Sequence, residues 1–384
     1  MKLKCRPEDF VVEEKVRLRL KRRGAYSIYR LVKRCWNTLD VIRELEARHR
    51  LHRIGRAGLK DRYSLSVQYI SAPGQGPKSV ATENYRLTLI GMSDKPVSRD
   101  LALGNRFAIT LRSLSENEVE TVRAAVPRVR QDGVPNYYDD QRFGSARHGL
   151  GFIGRKLIDG HFNGALKLLL ATPSAADDSR TRRTKQYLAE HWGDWNRCLE
   201  AAPEDARLAL RHLSKHRSDF KTAVKLLPRG LLELFINAYQ SYLWNETLAG
   251  LLARLRIPAR KVEYSVGALL FYERLAPDKL SYLRRLLIPA LAPSTKFRSD
   301  RVASVAAEVL DREGLELGRL RPKVRLGGLY FKPYERAAIV VPSELELSEP
   351  RPDDMYPGRY KMELRFFLPP GSYATVVLKR LALG

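Results

Sequence analysis

Residues 57 to 71 read AGLKDRYSLSVQYIS, a polar turn followed by a strand pattern. From Tyr63 onward apolar and polar side chains alternate, as in a strand buried on one face. The turn places a carboxylate, Asp61, between the cations Lys60 and Arg62. Flanking cations favour the ionised form that a nucleophile or general base needs, and they could also hold phosphate groups. An ordinary strand-edge turn with surface ion pairs has the same local pattern, so this segment alone leaves both interpretations open.

Further strand patterns lie on both sides of this turn. Strands are predicted at residues 10–12, 26–32, 63–71, 84–91, 106–112 and 359–379. One helix is predicted in this part of the chain, at about residues 39 to 50, with Thr38 as its N-cap. Because strand patterns both open and close the sequence, we expect the last strands to rejoin the sheet formed by the first.

The middle of the chain has a different pattern. Residues 156 to 256 have helical spacing, interrupted at 172–186 by a polar stretch that we expect to be a solvated loop. The sequence therefore predicts that a helical middle, beginning at about residue 156, is inserted into the first domain.

Composition restricts the class of protein. The chain has 384 residues, of which 44% are hydrophobic, so a sizeable core is expected. The formal net charge of +26 favours a polyanionic partner, although a protein of the membrane surface could carry the same excess. Three widely spaced cysteines without a CxxC pair support neither a disulfide framework nor a thiolate zinc site. No apolar run reaches a membrane span, and we expect a soluble, cytoplasmic protein without a membrane partner.

Two other segments carry side chains suited to recognition of a nucleobase. Residues 136–144 read NYYDDQRFG, in which amides can read the polar edge of a base and aromatic rings can stack on its face. Residues 370–375 read PGSYAT, which we interpret as a turn feeding a strand, with Tyr373 able to cap a pocket. A polar loop with tyrosines at a domain rim, and a plain hairpin turn, are the alternatives.

Motifs for cofactors are not supported. Residues 149–154 match GxGxxG by letters, but the preceding RFGSARH is polar and is not a buried strand. The HLSKH segment at residues 212–216 lacks the glutamate of a zinc-protease helix. We therefore expect no nucleotide cofactor and no metal.

Six segments in order along the chain carry a family resemblance. They are KCRPEDFVVE at residues 4–13, YRLVK with NT at 29–38, AGLKDR at 57–62, GNRF with Arg112 at 104–112, NYYDDQRFG at 136–144 and LPPGSYATVVL at 368–378. Together they resemble the TruD family of transfer-RNA pseudouridine synthases. The resemblance implies an α+β fold. Residues 1–155 and 338–384 would form a discontinuous pseudouridine-synthase catalytic domain with a central, mostly antiparallel sheet, and residues 156–337 an inserted α/β domain. It also implies an enzyme without cofactors that isomerises a uridine of tRNA, uridine 13 in the family, and it leads us to expect a monomer.

The resemblance also implies roles for single residues. Asp61 would be the catalytic aspartate. The expected substrate contacts are Phe10, Asn136 and Tyr373. Lys4 and Tyr138 would be pocket neighbours, with Lys4 as a cation near the aspartate. The candidates for contacts to the RNA backbone are Lys60, Arg62 and Arg142.

Four positions depart from the family pattern. Ser64 and Ser66 replace alanine and threonine, and both are small. Tyr138 replaces a phenylalanine and can still stack, whereas Asp139 replaces a glycine and loses the freedom to adopt positive φ.

Two readings from other classes remain. A non-catalytic RNA-binding or ribosome-assembly protein could share the fold, although the presence of Asp61, Asn136, Phe10 and Tyr373 favours an active enzyme. A basic metabolic enzyme acting on small phosphorylated substrates would need a glycine loop that cradles phosphate, and no such motif is found.

Overall fold

The computed structural model describes residues 1–146, 149–174, 177–324 and 328–384. The chain forms two compact units, one of residues 1–134 with 340–384 and the other of residues 135–339. The predicted domain boundaries lie instead between residues 155 and 156 and between residues 337 and 338. The difference at the first division arises because residues 140–146 pack on a long helix of the second unit.

The strands are β1 (Phe10–Val16), β2 (Tyr26–Arg34), β3 (Gly55–Arg56), β4 (Leu65–Pro73), β5 (Ser79–Ala81), β6 (Tyr85–Ser93), β7 (Ala102–Leu114), β8 (Val134–Pro135), β9 (Ala259–Tyr264), β10 (Gly267–Tyr272), β11 (Leu287–Pro289), β12 (Glu335–Ala337), β13 (Ile339–Val340), β14 (Ser343–Leu347), β15 (Arg351–Pro352) and β16 (Tyr360–Leu368).

The α-helices are α1 (Thr38–His49), α2 (Glu116–Asp132), α3 (Ile153–Asp159), α4 (Phe162–Leu170), α5 (Ser179–Glu190), α6 (Trp195–Glu200), α7 (Arg207–Lys215), α8 (Phe220–Lys225), α9 (Arg229–Arg254), α10 (Pro277–Arg285), α11 (Asp300–Arg312) and α12 (Ala374–Leu381). Short 3-10 turns lie at Pro7–Asp9, Arg99–Leu101, Asp140–Ala146, Glu204–Ala206 and Leu317–Arg319.

A ten-stranded sheet forms the body of the first unit. Its strand order is β14-β16-β7-β1-β4-β2-β6-β5, with β15 paired to β16 and β3 paired to β4. The β1–β4 pair is parallel, whereas β1–β7, β2–β4, β2–β6 and β7–β16 are antiparallel. The expectation of an α+β fold with a mostly antiparallel sheet is confirmed, and β16 rejoins the sheet formed by the first strands.

Helix α1 packs on one part of this sheet. Its buried residues Val41, Ile42 and Leu45 share a hydrophobic core with side chains of β2, β4 and β6. The prediction of Thr38 as N-cap is wrong, because Asn37 precedes the helix and Thr38 is its first residue. Thr38 is buried and hydrogen-bonds elsewhere, to the side chain of Gln68.

The C-terminal turn leads into a helix. The strand predicted at 359–379 ends at Leu368, and α12 begins at Ala374. Along α12, buried residues recur at Ala374, Val377, Leu378 and Leu381, which is helical spacing. Helix α12 packs against α2. The interpretation of PGSYAT as a turn feeding a strand is therefore wrong.

The second unit is mainly helical. Its core surrounds α9, which buries Phe235, Tyr239 and Leu243 together with side chains of the neighbouring helices. Two short antiparallel pairs, β9–β10 and β11–β12, complete it. The loop expected at 172–186 is wrong in its second half, where α5 begins at Ser179 with Asp178 as N-cap. Residues 175–176 lie outside the described residues. Across the described ranges, no helix is long and apolar enough to cross a membrane.

Candidate active site

Asp61 lies in the turn between β3 and β4 of the first unit. Its carboxylate Oδ2 accepts a hydrogen bond of 3.0 Å from the ammonium of Lys4, and both side chains are about a quarter to a third exposed. The carboxylate is therefore reachable from solvent and has a cation beside it. The local sequence pattern offered the chain neighbours Lys60 and Arg62 as the source of such a cation, whereas the family resemblance implied Lys4. In the structure the hydrogen bond comes from Lys4, 57 positions away.

Phe10 joins the same group. The ammonium of Lys4 lies 4.3 Å from the centroid of the Phe10 ring, within the range of a cation–π interaction. Phe10 is the first residue of β1 and is almost fully buried, with its ring edge-on to Phe107. The structure thus brings Asp61, Lys4 and Phe10 together, all three of which the sequence had singled out.

Lys4 adopts an unusual backbone conformation. Its φ is 56°, in the left-handed region that residues other than glycine rarely occupy. Such a conformation costs of order 1 kcal/mol or more and persists only where surrounding contacts hold it. Here the contacts with Asp61 and Phe10 are made by the same residue, so this backbone strain coincides with the candidate site.

The ammonium of Lys60 is buried and does not face solvent beside Asp61. Its Nζ lies 2.5 Å from Oε1 of Glu14 on β1, and the two side chains are only 8% and 3% exposed. The other carboxylate oxygen of Glu14 accepts from the backbone N–H of Tyr69. A buried, paired ammonium is not available to an RNA phosphate, so the expectation of a backbone contact for Lys60 is corrected.

Lys33 contacts the backbone of the turn that carries Asp61. It comes from β2, its side chain is buried, and its Nζ donates a 2.7 Å hydrogen bond to the main-chain carbonyl of Asp61. Burial lowers the pKa of the Lys33 ammonium to about 8, while the nearby charge of Asp61 acts in the opposite direction. Lys33 is therefore a titratable group in direct contact with the backbone of the candidate carboxylate.

Two hydroxyl groups complete the support of the turn. Ser64 Oγ donates to the carbonyl of Asp61 at 3.0 Å, and Thr38 Oγ1 accepts from the backbone N–H of Lys60 at 3.2 Å. The serine that replaces alanine in the family pattern thus adds a hydrogen bond that alanine could not make.

A buried cluster around Arg112 fixes the segment that carries Lys4 and Phe10. The guanidinium of Arg112 contacts both carboxylate oxygens of Asp9 at 2.9 Å, and also Asp353 at 2.9 Å. Burial alone would lower the pKa of Arg112, but the hydrogen bonds that its guanidinium donates to Asp354 and Asp9 raise the pKa above its usual range. Because Asp9 immediately precedes Phe10, this cluster sets where β1 begins.

The sequence reasoning missed Lys33, Glu14 and Asp9 as partners within the site. Lys33 and Asp9 lie inside quoted motifs, so motif membership was an available signal. No local signal distinguished Glu14 from the neighbouring Glu13.

In the second unit, the side chain of Asn136 is held on both sides. Its Nδ2 donates to the carbonyl of Ala337 at 3.1 Å, and its Oδ1 accepts from Arg336 at 2.8 Å. Arg336 also donates to the backbone carbonyl of Asn136. The observed contacts of Asn136 thus tie the start of the NYYDDQRFG segment to the chain around residue 337.

Tyr138 is buried beside an aromatic and cationic group. The guanidinium of Arg336 lies 4.1 Å from its ring centroid, and Trp244 packs edge-on at 5.6 Å. Its hydroxyl pairs with that of Tyr334, and burial raises the pKa of the Tyr138 phenol. Asn245 of α9 accepts from the Tyr138 N–H and donates to the Tyr138 carbonyl, each at 2.9 Å.

The remaining predicted residues are placed as follows. Arg142 donates to Ser241 of α9 and is partly exposed. Arg62 is exposed, with its guanidinium 5.5 Å from the ring of the exposed Tyr63. Tyr373 is half-buried in the first unit and immediately precedes α12. Asp139 lies outside the left-handed region, so the loss of glycine there brings no backbone strain.

The chemistry of the group around Asp61 is that of a partly exposed carboxylate next to a fixed cation and an aromatic ring. Such a carboxylate can act as a nucleophile or a base. In the described part of the chain, His, Cys, Asp and Glu side chains form no group of three or more that could hold a metal ion.

Comparison with known proteins gives consistent matches along the chain. The family model described as tRNA pseudouridine synthase D (TruD) matches residues 1–273. The Methanocaldococcus jannaschii protein named "Probable tRNA pseudouridine synthase D 2" is 33% identical over 394 residues, covering 100% of this chain and 92% of that protein. The tRNA pseudouridine synthase D of Aquifex aeolicus is 32% identical, covering 99% and 98%.

A solved structure agrees with the fold. The crystal structure of a protein described as tRNA pseudouridine synthase D from Methanosarcina mazei matches with a TM-score of 0.71 at 26% identity. The match covers 99% of this chain and 93% of that one.

Proposed function

This chain belongs to the TruD family of tRNA pseudouridine synthases, and on that premise we propose that Asp61 is the carboxylate with which it isomerises a uridine of tRNA to pseudouridine. The observation that carries the proposal is the geometry of Lys4. Its Nζ lies 3.0 Å from Oδ2 of Asp61 and 4.3 Å from the ring centroid of Phe10. One cation therefore links the two residues that the family motifs assign to catalysis and to substrate contact.

The reaction is an isomerisation, so no oxidant, reductant or second substrate takes part. In one route a carboxylate oxygen of Asp61 bonds to the anomeric carbon C1′ while the C1′–N1 bond breaks and uracil leaves as an anion. Uracil then turns, its C5 bonds to C1′, and Asp61 is released. C5 loses its proton and N1 gains one, which balances the conversion.

A second route uses the same carboxylate as a base. Asp61 removes the proton of C2′, and departure of uracil leaves a double bond between C1′ and C2′. Asp61 returns the proton to C2′ while C5 of the uracil anion bonds to C1′. Loss of the C5 proton and gain of a proton at N1 then give the same product. Both routes use the same carboxylate, and the ammonium of Lys4 holds one of its oxygens at 3.0 Å.

The base must leave its stack before either route can begin. Unstacking costs on the order of a few kcal/mol, and aromatic stacking returns roughly 1 to 3 kcal/mol per base. The proposed substrate contacts are Phe10, Asn136, Tyr138 and Tyr373, and the proposed phosphate contacts are Arg62 and Arg142. These roles follow from the family motifs, as does uridine 13 as the proposed target.

The test is Asp61→Asn, assayed on tRNA transcripts with and without uridine 13. We expect loss of pseudouridine formation by more than about a thousandfold while the affinity for tRNA changes by less than about threefold, because the carboxylate contacts no phosphate. Asp311→Asn, an exposed position in α11, changes the net charge equally and should leave the rate unchanged.

Residual turnover of Asp61→Asn within tenfold of the wild type would contradict the assignment. Product on a transcript that lacks uridine 13 would contradict the proposed target but not the reaction. A wild-type protein that binds tRNA and forms no pseudouridine would instead support a non-catalytic RNA-binding protein.

A further inference from the structure

A short basic segment, residues 17–23, connects β1 to β2 and is here called the basic strap. It reads RLRLKRR, and its five cations are all exposed. Lys21 pairs with Asp94, whereas Arg17, Arg19, Arg22 and Arg23 form no ion pair within the part of the chain that the structure describes. The proposed catalytic group does not include any of them.

The strap is held against the sheet by its backbone. Lys21 and Met92 of β6 exchange two main-chain hydrogen bonds, of 2.8 and 2.9 Å. The N–H of Arg17 donates to the carbonyl of Leu101 at 2.9 Å. The strap is thus fixed at Arg17 and at Lys21, and between them the side chain of Leu18 packs on a small apolar cluster.

Two glycines allow the strap to approach β6 closely. A Cβ on Gly24 would lie 2.7 Å from the carbonyl oxygen of Ser93, closer than such atoms approach. Gly91 has φ +154°, and a Cβ there would lie 3.3 Å from Cβ of Leu20. Because the backbone is fixed in this way, the cations are presented from a defined position and lose less freedom when they bind a partner.

The strap and Asp61 lie at different levels along the strands. Lys33, which donates to the carbonyl of Asp61, is opposite Ser66 of β4. The strap contacts β6 at Met92. The next residue of β6, Ser93, is opposite Tyr26 of β2, which in turn is opposite Pro73 of β4. Seven residues of strand separate these levels, which is about 23 Å at about 3.3 Å per residue.

We propose that the basic strap is a second RNA contact that binds backbone phosphates of the substrate about 23 Å along the strands from the target uridine. The proposal rests on the proposed function, in that the bound RNA is the substrate of Asp61. Arginine guanidinium groups suit phosphate oxygens because they donate paired hydrogen bonds. Four such groups would strengthen binding without reading the base sequence.

The neighbouring segment adds to the positive charge. Residues 94–100 read DKPVSRD, in which Lys95 and Arg99 are exposed and Arg99 opens the 3-10 turn that ends at Leu101. The carboxylates of this segment are engaged with other groups: Asp94 with Lys21, and Asp100 with the Ser98 hydroxyl. The surface around the strap therefore remains strongly basic.

The test is a variant in which Arg17, Arg19, Arg22 and Arg23 are all changed to Gln. Its affinity for tRNA is measured by filter binding from low to moderate salt. Loss of four phosphate contacts should reduce the slope of log K against log salt by about 3 and weaken binding at least about tenfold. At saturating tRNA the rate should stay within about twofold of the wild type, because Asp61 is untouched.

A matched control removes the same charge elsewhere. Arg207, Arg211, Lys215 and Lys221 are exposed on or beside α7 and are changed to Gln together. The proposal expects a loss of affinity for this control several-fold smaller than for the strap variant. Equal losses, or an unchanged salt slope in the strap variant, would overturn it.

Two further outcomes separate this proposal from others. Strap-dependent binding to vesicles of anionic lipid, with tRNA binding unchanged, would overturn it in favour of a membrane surface. A wild-type protein whose tRNA binding depends on the strap but which forms no pseudouridine would support the strap and overturn the proposed function.

Discussion

Lys60, the residue immediately before Asp61, forms a buried ion pair with Glu14, in which Nζ lies 2.5 Å from Oε1. The pair ties the turn that carries Asp61 to β1, the strand that begins with Phe10. Removing one member of such a pair leaves the other charge buried without its partner, which is far more costly than the pair itself is favourable.

We expect Lys60→Met to destabilise the first unit by about 3 to 5 kcal/mol. Glu14 would then keep the N–H of Tyr69 as its remaining observed donor. The measurement is thermal unfolding, in which the transition should fall by about 2 to 4 °C for each kcal/mol. The double variant Lys60→Met with Glu14→Gln should recover part of the loss, because it no longer buries an unpaired charge.

Arg34→Met is the matched control for this prediction. Arg34 pairs with Glu8 on the surface, where the side chains are 58% and 51% exposed, so about 1 kcal/mol or less should be lost. A Lys60→Met protein as stable as Arg34→Met would show that the buried pair does not hold the turn.

The second prediction concerns pH and Lys33. Its pKa in the folded protein is about 8, against an ordinary value of 10.5, chiefly because of burial. Between these values the unfolded chain keeps a proton that the folded protein has lost, so the contribution of Lys33 to stability increases with pH across this window. Near neutral pH the buried charge costs stability.

The charge of Lys33 should nevertheless assist catalysis, because an ammonium donates a stronger hydrogen bond to the main-chain carbonyl of Asp61 than a neutral amine and so holds the turn more firmly. We expect kcat/KM of the wild type to decrease with an apparent pKa near 8 as Lys33 is deprotonated. Lys33→Met should lose this limb and be slower by about tenfold at neutral pH, which corresponds to about 1.4 kcal/mol. Persistence of the limb in Lys33→Met would assign it to another group.

A third prediction tests the attachment of the NYYDDQRFG segment to α9. Asn245 both accepts from and donates to the backbone of Tyr138 and is fully buried. Asn245→Leu would remove both of these hydrogen bonds to the backbone of Tyr138, at about 0.5 to 1.5 kcal/mol each. We expect faster amide hydrogen exchange at residues 136–146 and a lower unfolding temperature of the second unit.

Gly144→Ala is the control in the same segment, because a methyl group there would meet nothing within 4 Å. It should leave both hydrogen exchange and unfolding close to wild type. If Asn245→Leu behaved like Gly144→Ala, the segment would be held by other contacts, such as those of Arg336 with Asn136.

Much of the fold was predictable because it is encoded in local periodicity. The strands at β1, β2, β4, β6 and β7, and helix α1, follow from alternation and helical spacing. The predictions were wrong where the local sequence is compatible with more than one type of secondary structure. The run YATVVLK reads as alternation but forms α12, and a polar, arginine-rich stretch reads as a loop but forms α5.

The direction of a side chain was less predictable than its chemistry. Lys60 and Arg62 flank Asp61 equally in the sequence, yet Lys60 is buried against Glu14 while Arg62 is exposed. Threonine is a residue type favoured at helix N-caps, but Thr38 hydrogen-bonds to the side chain of Gln68. In each case the partner is remote in the chain, so no local pattern could identify it.

By itself, the sequence determined the α+β class, the order of the motifs and the family to which they belong, because periodicity and motif spacing are local properties of the chain. Only the tertiary structure decided that the ammonium of Lys60 is buried against Glu14, 46 residues away, instead of facing solvent beside Asp61. The sheet brings these residues together through the parallel pairing of β1 with β4. Contacts between distant segments depend on that pairing, and the letters around Asp61 do not contain it.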